Sequence, residues 1–341
     1  MRRWTSHTPC SILASGCGVA EALLLVQNLC VDFRTRGGLV RVVDDVSFSV
    51  GAGEILGLVG ESGSGKTISM LSVLGLVSDP NTVISGSVRF RGRELIGLSQ
   101  RALRRVRGAE VAMVFQDPMS AMNPVHTIGW QIVEQIRAHR SVSRRAARQR
   151  AEELLALMGV PAPGSAFDRY PHQLSGGLRQ RAMIAMALSC DPALLIADEP
   201  TTALDVTVQA QILALLGELR SKFGSSIVLI THDMGVIAEL ADRVMVMYAG
   251  RLVERGPVRA VLSAPAHPYT RGLLAAIPPM TGDRPHRLEA IPGSPPSPGH
   301  LPQGCAFAPR CPQRFAACLQ QPALFAGPEQ DSACFLMAPS R

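Results

Sequence analysis

The sequence has no apolar run long enough to cross a membrane, since a spanning helix needs about 20 consecutive apolar residues. It also has no apolar core near its start that would fit a secretory signal, although Arg2 and Arg3 are present. We therefore expect a protein that is soluble or peripheral to a membrane, and we interpret residues 1–20 as a disordered extension or as the result of an upstream start codon. Sustained heptads are absent as well, which argues against a long coiled-coil insertion.

Lysine and aromatic residues are scarce. Of the 34 basic residues only Lys66 and Lys222 are lysines, which suggests that position 66 requires an ammonium group. Aromatic residues make up 4% of the chain and are missing from the arginine-rich segment 137–150, where nucleic-acid binding would need them for base stacking. We interpret this segment as the solvated face of a helix. Because the basic residues behind the net charge of +7 are scattered, we expect no nucleic-acid partner.

The first positive feature is a phosphate-binding loop. Residues 60–67 read GESGSGKT and match the P-loop pattern G-x-x-x-x-G-K-[ST] at every fixed position. The apolar run 55–59 predicts a buried strand before the loop, and residues 68–76 predict a helix after it. Backbone N–H groups and the helix N-terminus would hold phosphate, Lys66 would reach the β- and γ-phosphates, and Thr67 would bind Mg²⁺. The predicted nucleotide-binding residues of this loop are Gly60, Glu61, Ser62, Gly63, Ser64, Gly65, Lys66 and Thr67.

An acidic pair follows a second predicted strand. The aliphatic run 194–197 ends in Asp198 and Glu199, and such a pair is the usual companion of a P-loop. Asp198 is a candidate ligand of Mg²⁺, usually through water, and Glu199 is a candidate general base that polarises the attacking water. ATP and Mg²⁺ are therefore the predicted substrate and cofactor.

Strands and helices alternate along most of the chain, which predicts an α/β fold with a mainly parallel core sheet. Strands at 23–33 and 39–50 predict an antiparallel β subdomain, and residues 117–172 predict a helical insert. Beyond Gly256 follow a helical piece, a proline-rich connector over residues 278–302 and a cysteine-rich end. Further strands are predicted at 83–90, 111–115, 194–197, 226–230, 244–248 and 251–254, and further helices at 143–158, 175–190, 206–223 and 233–240.

Four of the eight cysteines cluster near the end of the chain, with the spacing C-x5-C-x6-C-x15-C. A segment of about 30 residues cannot form a core of its own, so a metal would supply its folding energy. An all-cysteine zinc site and an iron–sulfur cluster both use four thiolates, and unligated thiols are the third alternative. Zinc sites usually contain C-x2–4-C pairs, and the wider spacing here favours a [4Fe–4S] cluster. The predicted ligands are Cys305, Cys311, Cys318 and Cys334.

The order of these motifs resembles that of the ATP-binding cassette (ABC) ATPases. Residues 174–181, LSGGLRQR, resemble the LSGGQ-type signature of that family and lie between Gln116 and the acidic pair. Residues 202–205 match the family's D-loop, and His232 matches its switch histidine. Leu178 stands where many members carry glutamine, although members of the peptide-importer branch often carry another residue there.

The resemblance implies a head-to-tail dimer in which ATP lies between the P-loop of one cassette and the signature of the other. It implies that His232 contacts the γ-phosphate, that Gln116 senses Mg²⁺ and the attacking water, and that Phe33 stacks on adenine. Together with Glu199, His232 and Gln116 form the predicted catalytic set. The residues implied to serve the partner's nucleotide are Ser175, Gly176, Gly177 and Asp205.

One branch of the family, the oligopeptide/dipeptide importers, is similar in residues 113–118, in residues 197–211 and in the HPYT element at 267–270. ATP-binding subunits of this branch carry a C-terminal extension with this element and trailing cysteines, and some of these tails bear a cluster. The resemblance implies two membrane permease subunits, a second ATPase subunit that is usually a paralogue, an extracytoplasmic solute-binding protein, and a peripheral location at the cytoplasmic face of the plasma membrane. It divides the chain into a cassette over residues 21–256 and an extension over residues 257–341.

Other functions stay open on the sequence alone. The same branch includes importers of nickel and other small solutes, and selectivity lies in other subunits. A soluble ABC ATPase acting on DNA or the ribosome typically has two cassettes or a long coiled coil, and a P-loop kinase would lack the signature and His232. The sequence thus predicts the ATPase subunit of an ABC importer, most directly one for peptides.

Overall fold

The computed structural model describes residues 22–201, 206–277 and 290–338. The predicted extension over residues 1–20 and the D-loop with Asp205 lie outside these ranges. None of the helices within them has the length and apolarity to cross a membrane. The strands are β1 (Leu24–Thr35), β2 (Gly38–Val50), β3 (Ile55–Val59), β4 (Thr82–Phe90), β5 (Arg93–Glu94), β6 (Val111–Val114), β7 (Leu194–Asp198), β8 (Ser226–Thr231), β9 (Arg243–Tyr248), β10 (Arg251–Pro257), β11 (Phe325–Ala326) and β12 (Asp331–Ser332).

The helices lie mainly between β6 and β9. Short 3₁₀ turns at Pro171–Gln173, Ala308–Arg310, Ala316–Leu319 and Phe335–Met337 accompany them. The α-helices are α1 (Lys66–Val73), α2 (Gln100–Val106), α3 (Pro118–Ala121), α4 (Ile128–His139), α5 (Arg144–Leu157), α6 (Pro163–Phe167), α7 (Gly176–Ala187), α8 (Val206–Phe223), α9 (Met234–Leu240), α10 (Val258–Ser263) and α11 (Pro268–Ala275).

The larger sheet has eight strands in the order β11-β12-β10-β9-β3-β8-β7-β6. The five strands from β9 to β6 are parallel, which confirms the predicted parallel core. Strands β3, β7 and β8 are buried at every residue, and for that reason they read in the sequence as uninterrupted apolar runs. Strands β10, β12 and β11 continue the sheet in antiparallel fashion at one edge.

Alternate side chains of the central strands face two different cores. In β3, Ile55 and Val59 belong to one hydrophobic cluster, whereas Leu56 and Leu58 belong to the other. The first cluster includes residues of α4, α5, α7, α8 and α9, and the second packs the parallel sheet against β1, β2 and β4. Gly57 faces the first core, where an added Cβ would lie 2.6 Å from Cδ1 of Ile237, so α9 lies directly on β3. The P-loop therefore begins at the end of a strand that is packed on both faces.

The smaller sheet is antiparallel, with the strand order β2-β1-β4-β5. Strand β1 pairs with both β2 and β4, which confirms the strands predicted at 23–33, 39–50 and 83–90. The two-residue strand β5 and helix α2 are not predicted by the sequence pattern.

Residues 117–173 are largely helical, as their pattern predicts, and contain α3 to α6. Ser143 caps α5 by accepting the N–H of Ala146 at 3.2 Å, which confirms the predicted cap. The arginine-rich face of α5 is solvated, since Arg148 is half exposed and pairs with Glu152 on the helix surface. The segment 137–150 is mostly exposed, as interpreted, but it spans the end of α4, a loop and the start of α5 instead of a single helix.

The C-terminal segment packs on the larger sheet. Glu254 of β10 accepts the N–H groups of Ala266 at 2.6 Å and of His267 at 3.1 Å. The proline-rich stretch is predicted as a connector, but its described part, from residue 290 onwards, folds back so that Ile291 lies against Gly272 of α11.

Candidate nucleotide site

Four predicted site elements meet at one edge of the larger sheet. Strands β3, β6, β7 and β8 are parallel, so their carboxyl ends lie side by side. The P-loop follows β3, and Gln116 lies two residues beyond β6. Asp198 ends β7, and His232 directly follows β8. Parallel pairing therefore brings together residues that are far apart in the sequence.

The P-loop relies on glycine at its turns. Gly60, Gly63 and Gly65 have φ values of 153°, 77° and 101°, a region that other residues rarely adopt. A Cβ at Gly60 would lie 2.2 Å from the carbonyl oxygen of Met247, so no larger residue fits. Helix α1 begins at Lys66, and among the described residues no side chain caps its N-terminus. The first-turn N–H groups of α1 are thus available to an anion.

The Lys66 side chain is buried at the base of this loop. Its Nζ donates to the carbonyl oxygens of Gly60 at 2.7 Å and of Glu61 at 3.0 Å. Burial lowers the pKa of Lys66, and the carboxylates of Glu199, Asp198 and Glu61 act in the opposite direction. The ammonium group therefore lies where acidic neighbours favour its charged form.

Thr67 and Asp198 form the second part of the site. The Thr67 hydroxyl donates to Oδ1 of Asp198 at 3.2 Å, and Asp198 is 2% exposed. Burial raises the pKa of Asp198, while the hydrogen bond from Thr67 lowers it. A hydroxyl and a carboxylate in contact are the hard oxygen donors that Mg²⁺ prefers, so the predicted magnesium ligands fit the ion.

Gln116, Glu199 and His232 meet around one carboxylate. The Nε2 of Gln116 donates to Oε2 of Glu199 at 3.0 Å, and Nδ1 of His232 lies 3.4 Å from Oε1. Glu199 adopts a φ of 45° while its N–H donates to the carbonyl oxygen of Ile230 at 2.9 Å. This uncommon backbone conformation occurs directly after β7, at the same edge as the P-loop. The geometry suits a carboxylate that accepts a proton from water at this edge.

The signature lies at the start of α7, apart from the P-loop. Ser175 caps α7 by accepting the N–H of Leu178 at 3.4 Å, and both Ser175 and Gly176 are exposed. A Cβ at Gly177 would lie 3.0 Å from Cγ1 of Val208, so α7 and α8 approach closely there. In the described part of the chain no hydrogen bond links this helix start to the P-loop. The exposed helix start faces outward, free to contact a group outside the chain.

Phe33 is half-buried near the end of β1, paired with Val40 on β2 and Thr82 on β4. Its ring packs at the margin of the second core, so part of its surface remains open to a ligand.

The four C-terminal cysteines line one pocket together with apolar residues such as Phe307 and Phe315. All four are free thiols, and burial raises the pKa values of Cys305, Cys311 and Cys334. In the described ranges, however, no set of three or more His, Cys, Asp or Glu side chains is arranged to hold a metal ion. The predicted metal centre, whether zinc or [4Fe–4S], thus has no preformed set of ligands.

Two residues that the sequence did not assign to the site contact the P-loop from the C-terminal segment. Arg310 pairs with the carboxylate of Glu61, and the hydroxyl of Tyr269 accepts the Glu61 N–H. Glu61 is predicted to bind nucleotide, but its carboxylate and its backbone N–H are both engaged by side chains of the C-terminal segment. The sequence places Tyr269 in the HPYT element but assigns it no role at the P-loop. Arg310 had no signal beyond its place next to Cys311.

Comparisons with known proteins agree with this geometry. The ABC transporter family matches residues 43–202, and the C-terminal region of the oligopeptide/dipeptide transporters matches residues 253–318. The dipeptide transport ATP-binding protein DppD of Escherichia coli is 50% identical over 304 residues, which cover 89% of this chain and 93% of that protein. The oligopeptide transport ATP-binding protein AppD of Bacillus subtilis is 50% identical over 306 residues, which cover 89% and 93%.

Solved structures agree as well. The dimeric structure of the ATP-binding cassette MJ0796, bound to ADP and Pi, is similar with a TM-score of 0.63 and 26% identity, and it covers 69% of this chain and 99% of that chain. This likeness confirms the predicted cassette fold. The chain belongs to the ATP-binding, ATP-hydrolysing proteins of the ABC transporter family, in the branch that carries the oligopeptide/dipeptide transporter C-terminal region.

Proposed function

We propose that this protein is the ATP-hydrolysing subunit of an importer for dipeptides or oligopeptides, with a cassette over residues 21–256 and an extension over residues 257–341. The observation that carries the proposal is the contact between these two parts. The hydroxyl of Tyr269, in the extension, accepts a hydrogen bond from the P-loop of the cassette. Two relatives with the same pair of regions are named for dipeptide and oligopeptide transport. The protein works at the cytoplasmic face of the inner membrane as a peripheral subunit.

In the hydrolytic reaction we assign one role to each residue at the site edge. The P-loop N–H groups and Lys66 bind the phosphates of ATP, and Thr67 and Asp198 hold Mg²⁺, which neutralises phosphate charge when bound. Glu199 accepts a proton from the attacking water, since its carboxylate is fixed by Gln116 and His232. Water activation requires an ionised Glu199.

Two cassettes complete each ATP site. Ser175 and Gly176 lie exposed at a helix start, where N–H groups and a hydroxyl suit an anion, and in the described part of the chain no hydrogen bond joins them to the chain's own P-loop. The similar cassette MJ0796 was solved as a dimer with ADP and Pi. We therefore assign Ser175, Gly176, Gly177 and Asp205 to the ATP of a second ATPase subunit, a paralogue, and Phe33 to the adenine of the chain's own ATP.

The permease subunits dock beside Gln116. Met119, Val125 and Trp130 follow Gln116 in and around α3 and α4 and are exposed apolar side chains. An apolar surface next to a residue that contacts Glu199 lets a short cytoplasmic helix of a permease act on the hydrolytic site. Two permeases and a solute-binding protein outside the membrane complete the transporter.

The cysteine pocket would hold a [4Fe–4S] cluster, with zinc as the alternative. Four free thiols share one pocket, and the chain around them has only short strands and 3₁₀ turns. The C-x5-C-x6-C-x15-C spacing favours the cluster, because zinc sites usually contain C-x2–4-C pairs. Cys305, Cys311, Cys318 and Cys334 would be the ligands, and the group would stabilise the segment.

Transport is tested with the protein reconstituted in vesicles together with its permeases and loaded binding protein. We expect ATP-dependent uptake of labelled peptide and an ATPase rate well above that of the isolated chain. Uptake of nickel without uptake of peptide would establish the small-solute alternative. An equal ATPase rate with and without permeases would instead favour a soluble ABC ATPase.

The cluster is tested by anaerobic purification of the full chain. We expect brown protein with broad visible absorbance that is lost when Cys311 and Cys318 are changed to serine. The matched control is Cys190→Ser, because Cys190 is a buried cysteine that does not line the pocket. Colourless protein with stoichiometric zinc would rule out the cluster and establish zinc as the structural metal. Protein that contains neither iron nor zinc would establish that the four thiols are unligated.

A further inference from the structure

Arg310, directly before Cys311, binds the second residue of the P-loop. Its two terminal nitrogens donate to Oε2 of Glu61 at 2.6 Å and to Oε1 at 2.9 Å, which is a bidentate pairing. Its Nε donates to the carbonyl oxygen of Pro292 at 2.8 Å. The Arg310 side chain is 5% exposed and that of Glu61 27% exposed, so the arginine is buried and the carboxylate is partly open to solvent.

Tyr269 holds the same residue through its backbone. The Tyr269 hydroxyl accepts the N–H of Glu61 at 2.8 Å, and the residue is fully buried. Its ring packs against Tyr248 and Phe307 with centroid distances of 4.7 and 5.4 Å. His267 caps α11 by accepting the Tyr269 N–H on Nδ1 at 3.0 Å, which fixes the helix start that carries Tyr269. Tyr269 is therefore rigidly placed.

Glu61 also contacts the P-loop lysine, because its carbonyl oxygen accepts a hydrogen bond from the Lys66 ammonium group at 3.0 Å. The preceding Gly60 has a φ of 153°, and glycine restrains its backbone less than any other residue. The position of Glu61 thus depends on contacts from outside the loop. Three groups of Glu61 are engaged at once: its carboxylate, its N–H and its carbonyl oxygen.

We propose that Arg310 and Tyr269 are positioning residues of the nucleotide site. By holding Glu61, the C-terminal segment keeps the first turn of the P-loop and Lys66 in the geometry that binds phosphate. We assign neither residue a direct contact with the nucleotide. A P-loop released from these contacts has to be ordered during binding, which weakens the affinity for ATP and ADP alike. Turnover at saturating ATP is nearly unchanged, since Glu199, Gln116 and His232 are untouched.

The test measures binding of fluorescent ATP and ADP analogues to the full chain, and KM and kcat of the assembled transporter. Arg310→Gln should raise the Kd for both nucleotides and the KM about tenfold, with kcat within about twofold of wild type, and Glu61→Gln should raise the Kd by a similar factor. The Kd of the double variant should be no higher than that of the single variant with the higher Kd, because each single change already removes the pair. Tyr269→Phe should raise the Kd about threefold by leaving the Glu61 N–H without its acceptor.

The matched control is Arg255→Gln. Arg255 pairs with Asp331 at 2.8 Å and donates to the carbonyl oxygen of Ser47 at 3.0 Å, so it also fixes the C-terminal segment, but among the described residues no hydrogen bond or ion pair joins it to the P-loop. This variant should lower the melting temperature without changing the nucleotide Kd. An unchanged Kd in Glu61→Gln would overturn the proposal even if Arg310→Gln fails to fold. An equal loss of affinity in Arg255→Gln would show that the contact between Arg310 and Glu61 acts only through the general stability of the protein, and this would also overturn the proposal.

Discussion

Glu199→Gln removes the proposed base while keeping its shape. The Glu199 carboxylate is 17% exposed and lies between Gln116 Nε2 and His232 Nδ1, at 3.0 and 3.4 Å. A glutamine in this place can present its oxygen to Gln116 and its amide group to His232, so its hydrogen bonds need only be rearranged. We therefore expect a folding cost of no more than about 1 kcal/mol.

The substitution should leave nucleotide binding intact and abolish turnover. Burial is the main cause of the raised pKa of Asp198 and the negative charge of Glu199 adds to it, so neutralising Glu199 does not oppose the ionised carboxylate that binds Mg²⁺. Loss of a general base typically costs 10²–10⁴ in rate, which corresponds to about 3–5 kcal/mol of transition-state stabilisation. We expect the variant to bind Mg-ATP normally and to accumulate as a closed dimer with its partner.

The assay is phosphate release by the assembled complex, together with nucleotide binding and size-exclusion chromatography. If the partner subunit contains a competent site of its own, the residual rate should be about half of the wild-type rate, since two such sites operate side by side. A near wild-type rate in a complex with no second competent site would refute the assignment of Glu199 as the base. Lost nucleotide binding would indicate a structural role instead.

Three further predictions concern other parts of the chain. Lys66→Ala should weaken Mg-ATP binding at least about tenfold in equilibrium titration, whereas the surface control Lys222→Ala, at the only other lysine, should bind normally. Ser175→Arg should leave ATP binding to the single chain intact but block the ATP-dependent dimer in light scattering, and dimerisation of this variant would contradict the composite site. Burial lowers the pKa of His267 to about 3, below the ~6.5 of an unfolded chain, so only the unfolded state gains this proton as the pH falls between these values. The free energy of unfolding should therefore fall by up to about 1.4 kcal/mol per pH unit from pH 6.5 downwards. In urea unfolding, His267→Asn should show a smaller loss of this free energy as the pH falls. An equal loss in the variant would mean that His267 is charged in the folded protein.

Much of the fold and of the site follows from local pattern. Residues 55–67 contain a strand, a loop and a helix start whose residue types are each required by phosphate binding, so a short window identifies them. The run 194–199 is similarly complete in itself. Parallel strands place their carboxyl ends at one edge, and this rule carries Gln116 and His232 to the same place as Glu199. For residues 278–302, in contrast, the proline content predicts a connector. The described part, from residue 290 onwards, instead packs against α11, and the local pattern does not predict this contact.

The sequence by itself determined the nucleotide chemistry, because the P-loop, the acidic pair and the signature depend on neighbouring residues and on strand order. Only the tertiary structure decided what the C-terminal segment does at the site. Arg310 and Glu61 are 249 positions apart, and they meet because β10 carries the segment along the edge of the sheet that contains the P-loop strand. Periodicity reports which face of a strand or helix is buried, but it contains no information about the distant side chain that packs against it.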